Sequence, residues 1–569
     1  VAINAKYIHT NLAIRVLTSY LKKTCPAVID GKITIEIAEW NINEPSMKIV
    51  RGVLESEPDL VLFSTYIWNR DVVFSVLSDI KKVIPSIITG AGGPEVSWTA
   101  QEDMEAHEAL DLVISGDGEI PLSEIVARMD SGQSLHGIPG LHTRKGNEIL
   151  YSGPGAVLEN LDAIPFIYED PSLTFNTDTH IVYYESSRGC PFSCAFCLSS
   201  RDTRVRYYSL GRVFHDLSFF LEHKFPLVKF IDRTFNLDPK RYLAIWEFIR
   251  DNYNDVTTFH FEISAEILSA AAFSLLETLP PGSVQFEIGI QSTNPETLEA
   301  VGRSSNPEKL AEAIRKIPSS IHRHVDLIAG LPLEGLERFG ESFNFVWQFH
   351  AEMLQLGFLK ILPGSPMEAL ARSTEGYLWS SFPPYEVLQT PHISYDDLCV
   401  LKDVEQLVDT WYNSGLVRHT LIKLVELRKD MSAFNLFLEL TGFVRSWFPD
   451  GDLFLPRKPI DVFACLADFV STQPGLLEYL KYDFFMKGKP GAIPEWLDRH
   501  YSRNLHDDAL VANGFLDIQD SGFAPSRRTV YARTDYEEFF FELDKPPSRI
   551  LFVYSKPGKK EKTPECVIL

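Results

Sequence analysis

The sequence has no run of eighteen consecutive apolar residues, so no segment of it is predicted to span a membrane. Its opening segment, VAINAKYIHTNLAIRV, lacks the basic leader and the long apolar core of a secretion signal. Because the chain starts without methionine and inside an apolar, strand-like segment, we expect that a few residues precede Val1. These features favour a cytoplasmic location.

Basic residues and cysteines are both scarce. The 54 lysines and arginines stand against 77 aspartates and glutamates, which gives a formal net charge of −23. Proteins that bind nucleic acids need clustered positive charge, so no nucleic-acid partner is expected. Only seven cysteines occur, and three of them are crowded together. This usage is typical of a metal site in a reducing compartment and not of a disulfide scaffold.

Length and composition indicate a globular enzyme with several domains. Apolar residues make up 45% of the chain and charged residues 23%, which is the balance of a soluble globular protein. A chain of 569 residues is too long for one hydrophobic core, and roughly two to four domains are expected.

In the first region, residues 1–150, apolar strand-like segments alternate with helical patterns. Helices are expected at about residues 11–24, 47–54 and 72–83, and strands at residues 1–5, 32–40, 59–65, 86–90 and 110–116. This alternation, with nearly continuous apolar strands, predicts a doubly wound, Rossmann-like parallel α/β sheet.

In such a sheet, ligands bind at the carboxyl ends of the strands, where glycines let the backbone approach a ligand and polar side chains offer hydrogen bonds. The candidate binding residues at those ends are Ser64, Thr65, Tyr66, Gly92, Gly93, Gly116 and Glu119. Glycine-rich turns are common in this fold with or without a ligand, so ordinary tight turns are the alternative.

In the second region, residues 165–370, the alternation continues. Strand-like segments lie at residues 181–186, 227–232, 258–264, 283–290, 324–331 and 357–362, and this rhythm predicts a partial (β/α)6 barrel with a site at the strand tops. The third region, residues 375–569, is expected to be mainly helical, above all between 396 and 440, with a strand near 549–555. Its acidic and aromatic segment at 536–543 is expected to form a core-facing strand or helix.

Three cysteines, Cys190, Cys194 and Cys197, follow the first strand of the second region in the spacing C-x3-C-x2-C. Thiolates spaced in this way on one loop can bind three irons of a [4Fe-4S] cluster and leave the fourth iron open for chemistry. Zinc is the alternative metal, but a structural zinc site needs four ligands. No fourth cysteine is near, and the closest histidine, His180, lies across a strand.

This motif, with Phe196 directly before the third cysteine, resembles the signature of the radical SAM superfamily. The resemblance implies that S-adenosylmethionine (SAM) binds at the open iron, beside Phe196, and is cleaved to a 5′-deoxyadenosyl radical. The segments HFEIS, VQFEIGIQSTNPETLEAVGR and VDLIAGLP are similar to the barrel of the oxygen-independent coproporphyrinogen oxidases. Carried over position by position, this similarity places four residues along bound SAM, namely Glu262, Gln291, Arg303 and Asp326.

One departure from the family pattern lies at the end of the second barrel strand. Many radical SAM enzymes have Gly-Gly-Glu there to hold the amino group of SAM, whereas this chain reads IDRTFN at 231–236. Asp232 is the expected substitute for that glutamate. A plain ion pair between Asp232 and Arg233 is the alternative.

A doubly wound domain directly before a radical SAM barrel resembles the cobalamin-binding domain of the cobalamin-dependent branch of the superfamily. The GAGGPE and GDGE segments are similar to loops that surround the corrin ring and its nucleotide tail in that branch. The D-x-H-x-x-G motif that supplies a cobalt-binding histidine elsewhere is absent, and we expect His9 to be a loop residue and not a cobalt ligand. The third region is similar to an accessory domain of unknown function.

The resemblance implies an enzyme that uses a [4Fe-4S] cluster, SAM and cobalamin to methylate an unactivated carbon. The implied partners are a small-molecule or peptide substrate and an electron donor such as flavodoxin or ferredoxin. Cyclisation or rearrangement without methyl transfer is one alternative. A methylthiotransferase of RNA or protein is another, although that family needs a second cluster in its first domain, where this chain has only Cys25.

Overall fold

The computed structural model describes residues 1–171, 181–516, 530–542, 545–554 and 564–569. These residues form two compact units, one of Val1–Gly335 and Gly357–Tyr395, the other of Leu336–Leu356 and Asp396–Leu569. The first unit contains the first predicted parallel sheet and all of the second except residues 353–356 of its last strand. No described helix is both long enough and apolar enough to cross a membrane.

The first sheet has the doubly wound arrangement that the sequence predicts. Its parallel strands are β1 (Ala2–Asn4), β2 (Glu39–Asn41), β3 (Leu60–Ser64), β4 (Ile88–Gly92) and β5 (Leu112–Ile114), in the spatial order β2-β1-β3-β4-β5. The helices that connect or follow them are α1 (Leu12–Thr24), α2 (Pro26–Ile29), α3 (Ser46–Leu54), α4 (Arg70–Val83), α5 (Ala100–Ala106) and α6 (Glu119–Ser131). The strand order reverses between β1 and β3, and ligands bind at such a switch point.

Helix α4 shows how the sequence selects this arrangement. Its apolar residues recur three and four positions apart, which places them on one face of the helix. That face is buried in the core of the sheet, with Ile3, Phe63 and Ala91 in the same cluster; its residues are Val73, Val76, Leu77 and Ile80.

Two features of this sheet differ from expectation. The strand expected at 32–40 is paired only over Glu39–Asn41, because β1 offers it three partners at the edge of the sheet. The sheet also continues beyond β5 with an antiparallel hairpin, β6 (Leu141–Lys145) and β7 (Glu148–Tyr151). Strand β7 is not buried, so it lacks the apolar pattern that marks a core strand.

The chain turns sharply where β4 ends. Gly93 has a φ of 114°, and a Cβ atom there would lie 2.6 Å from the carbonyl oxygen of Thr65. A Cβ atom on Gly92 would meet only ordinary contacts with Ile114, at 3.5 Å. The N–H of Thr65 donates to the carbonyl of Gly92 at 2.7 Å, which joins the ends of β3 and β4. The backbone itself therefore requires glycine at position 93.

The second sheet is the predicted partial barrel. Its strands are β8 (Val182–Tyr184), β11 (Leu227–Phe230), β12 (Thr258–Ile263), β13 (Val284–Gln291), β14 (His322–Ala329) and β15 (Met353–Phe358), in the order β15-β14-β13-β12-β11-β8; β9 (Ser187–Arg188) and β10 (Arg206–Tyr207) form a separate antiparallel pair. The helices that follow are α7 (Leu210–Glu222), α8 (Pro239–Asn252), α9 (Ala270–Leu276), α10 (Pro295–Ala300), α11 (Pro307–Lys316), α12 (Leu336–Trp347) and α13 (Pro366–Ser373).

The alternation along β13 produces the two faces of this sheet. Its apolar residues are buried, and Phe286 packs on Trp246 of α8 with ring centroids 5.2 Å apart. The residues between them, Gln285, Glu287, Gly289 and Gln291, face the interior of the barrel, where Glu287 meets side chains of β11 and β12. The interior is therefore polar, whereas the layer under the helices is apolar.

The last barrel strand begins earlier than expected. It was predicted at 357–362 and spans Met353–Phe358. Beyond it, Leu359 donates its N–H to Ala329 and accepts one from Val387, both at 2.9 Å. The apolar residues after Phe358 therefore reach the hairpin of β16 (Leu378–Trp379) and β17 (Val387–Gln389), which belongs to the first unit.

The second unit is mainly helical, as predicted. Its remaining helices are α14 (Tyr395–Leu407), α15 (Arg418–Leu427), α16 (Ala433–Trp447), α17 (Pro459–Phe469), α18 (Pro474–Lys487) and α19 (Arg503–Ala512), with an antiparallel sheet of β18 (Thr534–Phe539), β19 (Ser548–Val553) and β20 (Glu565–Ile568). The acidic and aromatic segment forms a core-facing strand, because Tyr536 and Phe539 of β18 are fully buried. Residues 543–544 and 555 of the two predicted segments lie outside the described residues.

The two adjacent glycines offer a matched test of the turn after β4. Gly93→Ala should lower the free energy of unfolding by at least ~1 kcal/mol, because alanine is strained at a positive φ and would clash with the backbone of Thr65. Gly92→Ala should change it by less than ~0.5 kcal/mol. Denaturant unfolding followed by circular dichroism measures both. Equal loss of stability in the two variants would contradict the steric role of Gly93.

Candidate active site

The cysteine loop runs from β9 to a short 3-10 helix, Leu198–Arg201, at the carboxyl end of β8. Its backbone is held at three points: Cys190 N–H donates to Asp202, Ala195 N–H donates to Val301, and Ala195 accepts from Met367, each at 2.9 Å. Gly189 adopts a φ of 91° and has no room for a Cβ atom beside the carbonyl of Arg204. The loop is thus shaped by contacts within the chain.

The three predicted cluster cysteines lie together on this loop. Cys190 Sγ is 3.8 Å from Thr234 Oγ1, and Cys194 Sγ is 3.9 Å from Arg303 Nη1. Burial raises the pKa of Cys194, Arg303 opposes that shift, and the negative charge of Cys190 and Cys197 adds to it. The three thiols therefore act on each other electrostatically as one group.

A structural zinc ion would need a fourth ligand beside the three cysteines. Among the described residues, one group of three potential ligand atoms lies within 4.8 Å of one another, and it consists of Glu287, His324 and Asp326 in the barrel. His180 lies outside the described residues.

The residues predicted to contact SAM surround the strand ends next to the cysteines. Arg303 donates through Nη2 to the carbonyl of Gly289, and its buried Nε has no acceptor in the described part of the chain. Gln291 stands at an irregularity of β13 with a φ of 71°, an unusual conformation for a residue other than glycine. Both features fit a site that is completed by a ligand.

Glu262, on β12, is a largely buried carboxyl with no hydrogen bond among the described residues. Burial raises its pKa to about 7, and the positive charge of Arg233 opposes the shift. A carboxyl group in this state can accept a hydrogen bond from an ammonium or hydroxyl group and become ionised when it does. This chemistry fits the amino group or the ribose of SAM.

Asp326 belongs to a charged cluster in the interior of the barrel. His324 Nε2 is 2.9 Å from Asp326 Oδ1, and Lys229 Nζ is 3.1 Å from Glu287 Oε2. Burial would raise the pKa of Glu287, but a hydrogen bond from His260, with Lys229 and His324 nearby, lowers it to about 2. Lys229 and His324 thus face the carboxylates of Glu287 and Asp326.

The two remaining residues predicted to lie at the SAM site, Asp232 and Phe196, differ in their burial. Asp232 is fully buried, and its carboxylate accepts hydrogen bonds from Ser186 N–H at 2.9 Å, from Ser186 Oγ at 2.7 Å and from Ser187 Oγ. It therefore joins the end of β11 to the start of the cysteine loop and forms no ion pair with Arg233. Phe196 is half-buried between the second and third cysteines.

The residues predicted to contact cobalamin divide into two groups. Thr65, Gly93 and Glu119 serve contacts within the chain, since Thr65 is fully buried and Glu119 pairs with Arg188 at 2.8 Å. The others face the open end of the sheet. Tyr66 stacks on Trp68 with centroids 4.5 Å apart, Gly116 has no atom within 4 Å of a Cβ position, and Ser64 and Gly92 end neighbouring strands.

Sequence reasoning missed the exposed aromatic residues at these strand ends. Tyr7, Trp68 and Trp98 are 61%, 42% and 43% exposed, and each follows a different strand of the first sheet. Exposed aromatic rings at strand ends can stack on a flat ligand, and the corrin ring is one. Single aromatic residues in loops have no periodic pattern, so the sequence carried no signal for them.

Both sheets contribute to this site within the first unit. Ile181 N–H donates to Ile8 at 2.9 Å, and His9 Nδ1 is 2.6 Å from the hydroxyl of Tyr183 on β8. On the cysteine side, Arg206 Nη1 donates to Asp117 at 2.8 Å, and the guanidinium of Arg201 lies 4.5 Å from the ring of Trp98. The loops at the carboxyl ends of the first sheet therefore contact the loop that carries the cysteines.

Three family models match successive parts of the chain. They describe a B12 binding domain over residues 1–126, the radical SAM superfamily over residues 184–346, and a protein of unknown function, DUF4080, over residues 375–550.

Curated proteins and solved structures are similar to this chain. An uncharacterized methyltransferase of Pyrococcus horikoshii is 25% identical over 61% of this chain and 76% of its own length. The cobalamin-dependent radical SAM methyltransferase TokK of Streptomyces tokunonensis is 26% identical over 57% of this chain, which spans only 50% of TokK. The structure of the cobalamin-dependent SAM radical enzyme OxsB matches 93% of this chain and 82% of its own, with a TM-score of 0.60 and 15% identity, which is a likeness of fold.

The cluster assignment predicts a clear difference between cysteines. Alanine at Cys190, Cys194 or Cys197 should abolish the absorbance of the reconstituted cluster and the cleavage of SAM, because each thiolate is expected to bind one iron. Cys399→Ala is the matched control, since Cys399 is exposed and distant in sequence, and Cys25, Cys465 and Cys566 are likewise expected to be dispensable. A full cluster in any of the three loop variants would refute the assignment.

The SAM assignment predicts losses of affinity without unfolding. Glu262→Gln should weaken SAM binding about tenfold or more, because a hydrogen bond to a charged group is lost. Arg303→Lys keeps the charge but loses the planar fork, and should also weaken binding. Equilibrium dialysis with the cluster-loaded protein measures both, and circular dichroism checks the fold. Unchanged affinity in Glu262→Gln and Arg303→Ala would remove these residues from the site.

Proposed function

We propose that this chain, which matches the radical SAM superfamily and a B12 binding domain, methylates an unactivated carbon of a small molecule or a peptide. The predicted family and its cofactors, a [4Fe-4S] cluster, SAM and cobalamin, are confirmed by the family models. The single observation that carries the proposal is the contact between the cysteine loop and the strand-end loops of the first sheet, made by Asp117 with Arg206 and by Trp98 with Arg201.

That contact matters because methyl transfer needs the two cofactor sites side by side. When bound, the cofactors supply the radical that removes a hydrogen atom from carbon and the methyl group that replaces it. The chain's own residues bind and orient them. In this proposal Cys190, Cys194 and Cys197 each bind an iron, and Arg303 offers its guanidinium to the carboxylate of SAM.

The remaining candidate residues set the charge and exclude water. Glu262 accepts from the amino group or ribose of SAM, and Gln291 and Asp326 offer further polar contacts along it. The paired charges of Lys229, Glu287 and His324 fill the barrel interior below this position. Because Lys229 and His324 face two carboxylates, Glu287 and Asp326, the interior stays polar without a positive charge that would repel cationic SAM.

The partners and location follow from the chemistry. The reaction consumes electrons, so we propose a small electron-transfer protein, such as flavodoxin or ferredoxin, as donor. The seven cysteines form no disulfide, which suits the reducing cytoplasm. The net charge of −23 disfavours a nucleic-acid substrate.

Reconstitution with iron, sulfide and hydroxocobalamin tests the proposal directly. The protein should acquire both cluster and corrin absorbance, and with SAM and a reductant it should form 5′-deoxyadenosine and S-adenosylhomocysteine. Formation of 5′-deoxyadenosine alone would favour cyclisation or rearrangement. Failure to bind any corrin would overturn the cobalamin-dependent function.

The same preparation tests the absence of a histidine on cobalt. His9 Nδ1 is already engaged by Tyr183, so the electron paramagnetic resonance spectrum of the cob(II)alamin form should lack nitrogen triplets, and His9→Ala should bind cobalamin normally. Gly92→Leu should block corrin uptake and leave the cluster intact, because its side chain would project from the end of β4. Triplets that vanish in His9→Ala would contradict this assignment.

A further inference from the structure

A cavity of about 360 Å³ opens beside the cysteine loop. Its walls come from three successive segments: the turn after β15, helix α13, and the hairpin of β16 and β17. The residues that define it are Ile361, Glu368, Arg372, Tyr377, Trp379 and Tyr385. None of the residues predicted to contact the cluster, SAM or cobalamin lines it. Its size is that of a binding site for a small molecule.

The walls of this cavity are fixed to both cofactor regions. Met367, in α13, donates its N–H to Ala195 in the cysteine loop at 2.9 Å. Tyr385 donates its hydroxyl to Glu95, in the glycine-rich loop after β4, and both residues are buried. Gly364 lies against Trp98. A molecule in the cavity would therefore lie next to the loops that carry both predicted cofactor sites.

Tyr377 provides the strongest sign of a ligand. Its side chain is only 7% exposed, yet its hydroxyl makes no hydrogen bond with any described residue. Burial raises its pKa to about 12, so the group remains a protonated donor at neutral pH. Tyr377 lines the cavity, so a bound molecule that offers an acceptor to this hydroxyl would gain a hydrogen bond there.

The charges at the cavity define the kind of molecule. Glu368 and Arg372 stand one helical turn apart and pair at 2.7 Å, and the Arg372 guanidinium lies 5.8 Å from the ring of Trp379. The Glu368 carboxylate also accepts from the N–H of Gly364 at 2.7 Å, and the Arg372 side chain is 67% exposed. A ligand with an ammonium and a carboxylate group would exchange the pair between these side chains for one pair with each of them. The rings of Tyr377 and Trp379 offer an apolar wall to the rest of the ligand.

We infer that this cavity binds the organic substrate of the proposed methyl transfer, and that the bound part is a zwitterionic, amino-acid-like group with an apolar side chain. Only the identification of the bound molecule as the substrate rests on the proposed function. The binding site itself stands on the cavity, the unpartnered hydroxyl and the charge pair.

Saturation-transfer NMR on the full chain, loaded with cluster and cobalamin, tests it with three probes: L-phenylalanine, phenylacetate and phenethylamine. Saturable binding of L-phenylalanine, stronger than that of the two singly charged probes, is expected. Tyr377→Phe should weaken it about threefold to tenfold, the effect of one lost hydrogen bond. Arg372→Gln should abolish the preference of L-phenylalanine over phenethylamine. Tyr151→Phe, at an exposed tyrosine of β7, is the matched control and should bind normally.

The outcomes separate this inference from the proposed function. A protein with normal cluster and corrin absorbance that binds none of the probes would overturn the cavity assignment and leave the proposed function standing. Equal binding of all three probes would overturn the zwitterionic class. Undiminished binding in both Tyr377→Phe and Arg372→Gln, with normal circular dichroism, would place the probe elsewhere and refute the site. If the reconstituted protein shows neither cluster nor corrin absorbance, the proposed function itself is refuted.

Discussion

The active-site arrangement depends on one buried arginine. Arg188 directly precedes Gly189 and the first cysteine of the loop, and it pairs with Glu119 at the start of α6 and with Glu185 just after β8, each at 2.8 Å. Removing these charges from water is costly, and the pairs offset that cost only while all three groups stay together. Burial raises the pKa of Glu185 to about 7 even against the opposing charge of Arg188. The cysteine loop is thus held by the first sheet as well as by its own barrel.

A second constraint follows from the polar interior of the barrel. Closed barrels of this architecture usually fill their interior with branched apolar residues. Here the inward positions of β12, β13 and β14 carry His260, Glu287 and His324, and Glu287 lies 2.9 Å from His260 and 3.8 Å from His324. Glu262, one step nearer the strand ends, has no such partner, and its raised pKa reflects that isolation. Glu262 therefore lies at the level of the barrel where a ligand is expected to bind.

The sequence predicted those parts of the molecule that depend on local pattern. The recurrence of strand-like segments between helical ones predicted β13 and β14, and the C-x3-C-x2-C spacing marked the loop that carries the three cysteines. It did not predict contacts between residues far apart in the chain, such as Tyr385 with Glu95. Nor could the sequence show that glycine is required at position 93 and not at position 92. Only the backbone geometry shows that Gly93 has a positive φ and that the carbonyl of Thr65 leaves no room for a Cβ atom there.

The boundary of the accessory region illustrates the same limit. The DUF4080 model begins at residue 375, and the break in the strand-helix rhythm near that point suggested a separate domain. In the structure, the first residues of this region stay in the first unit, where β16 and β17 form a hairpin and Leu359 bonds to Val387. Tyr385, between these strands, reaches the loop after β4. A change of sequence family therefore does not coincide with a change of structural unit, and the opening segment of the accessory region forms part of the wall around the cofactor loops.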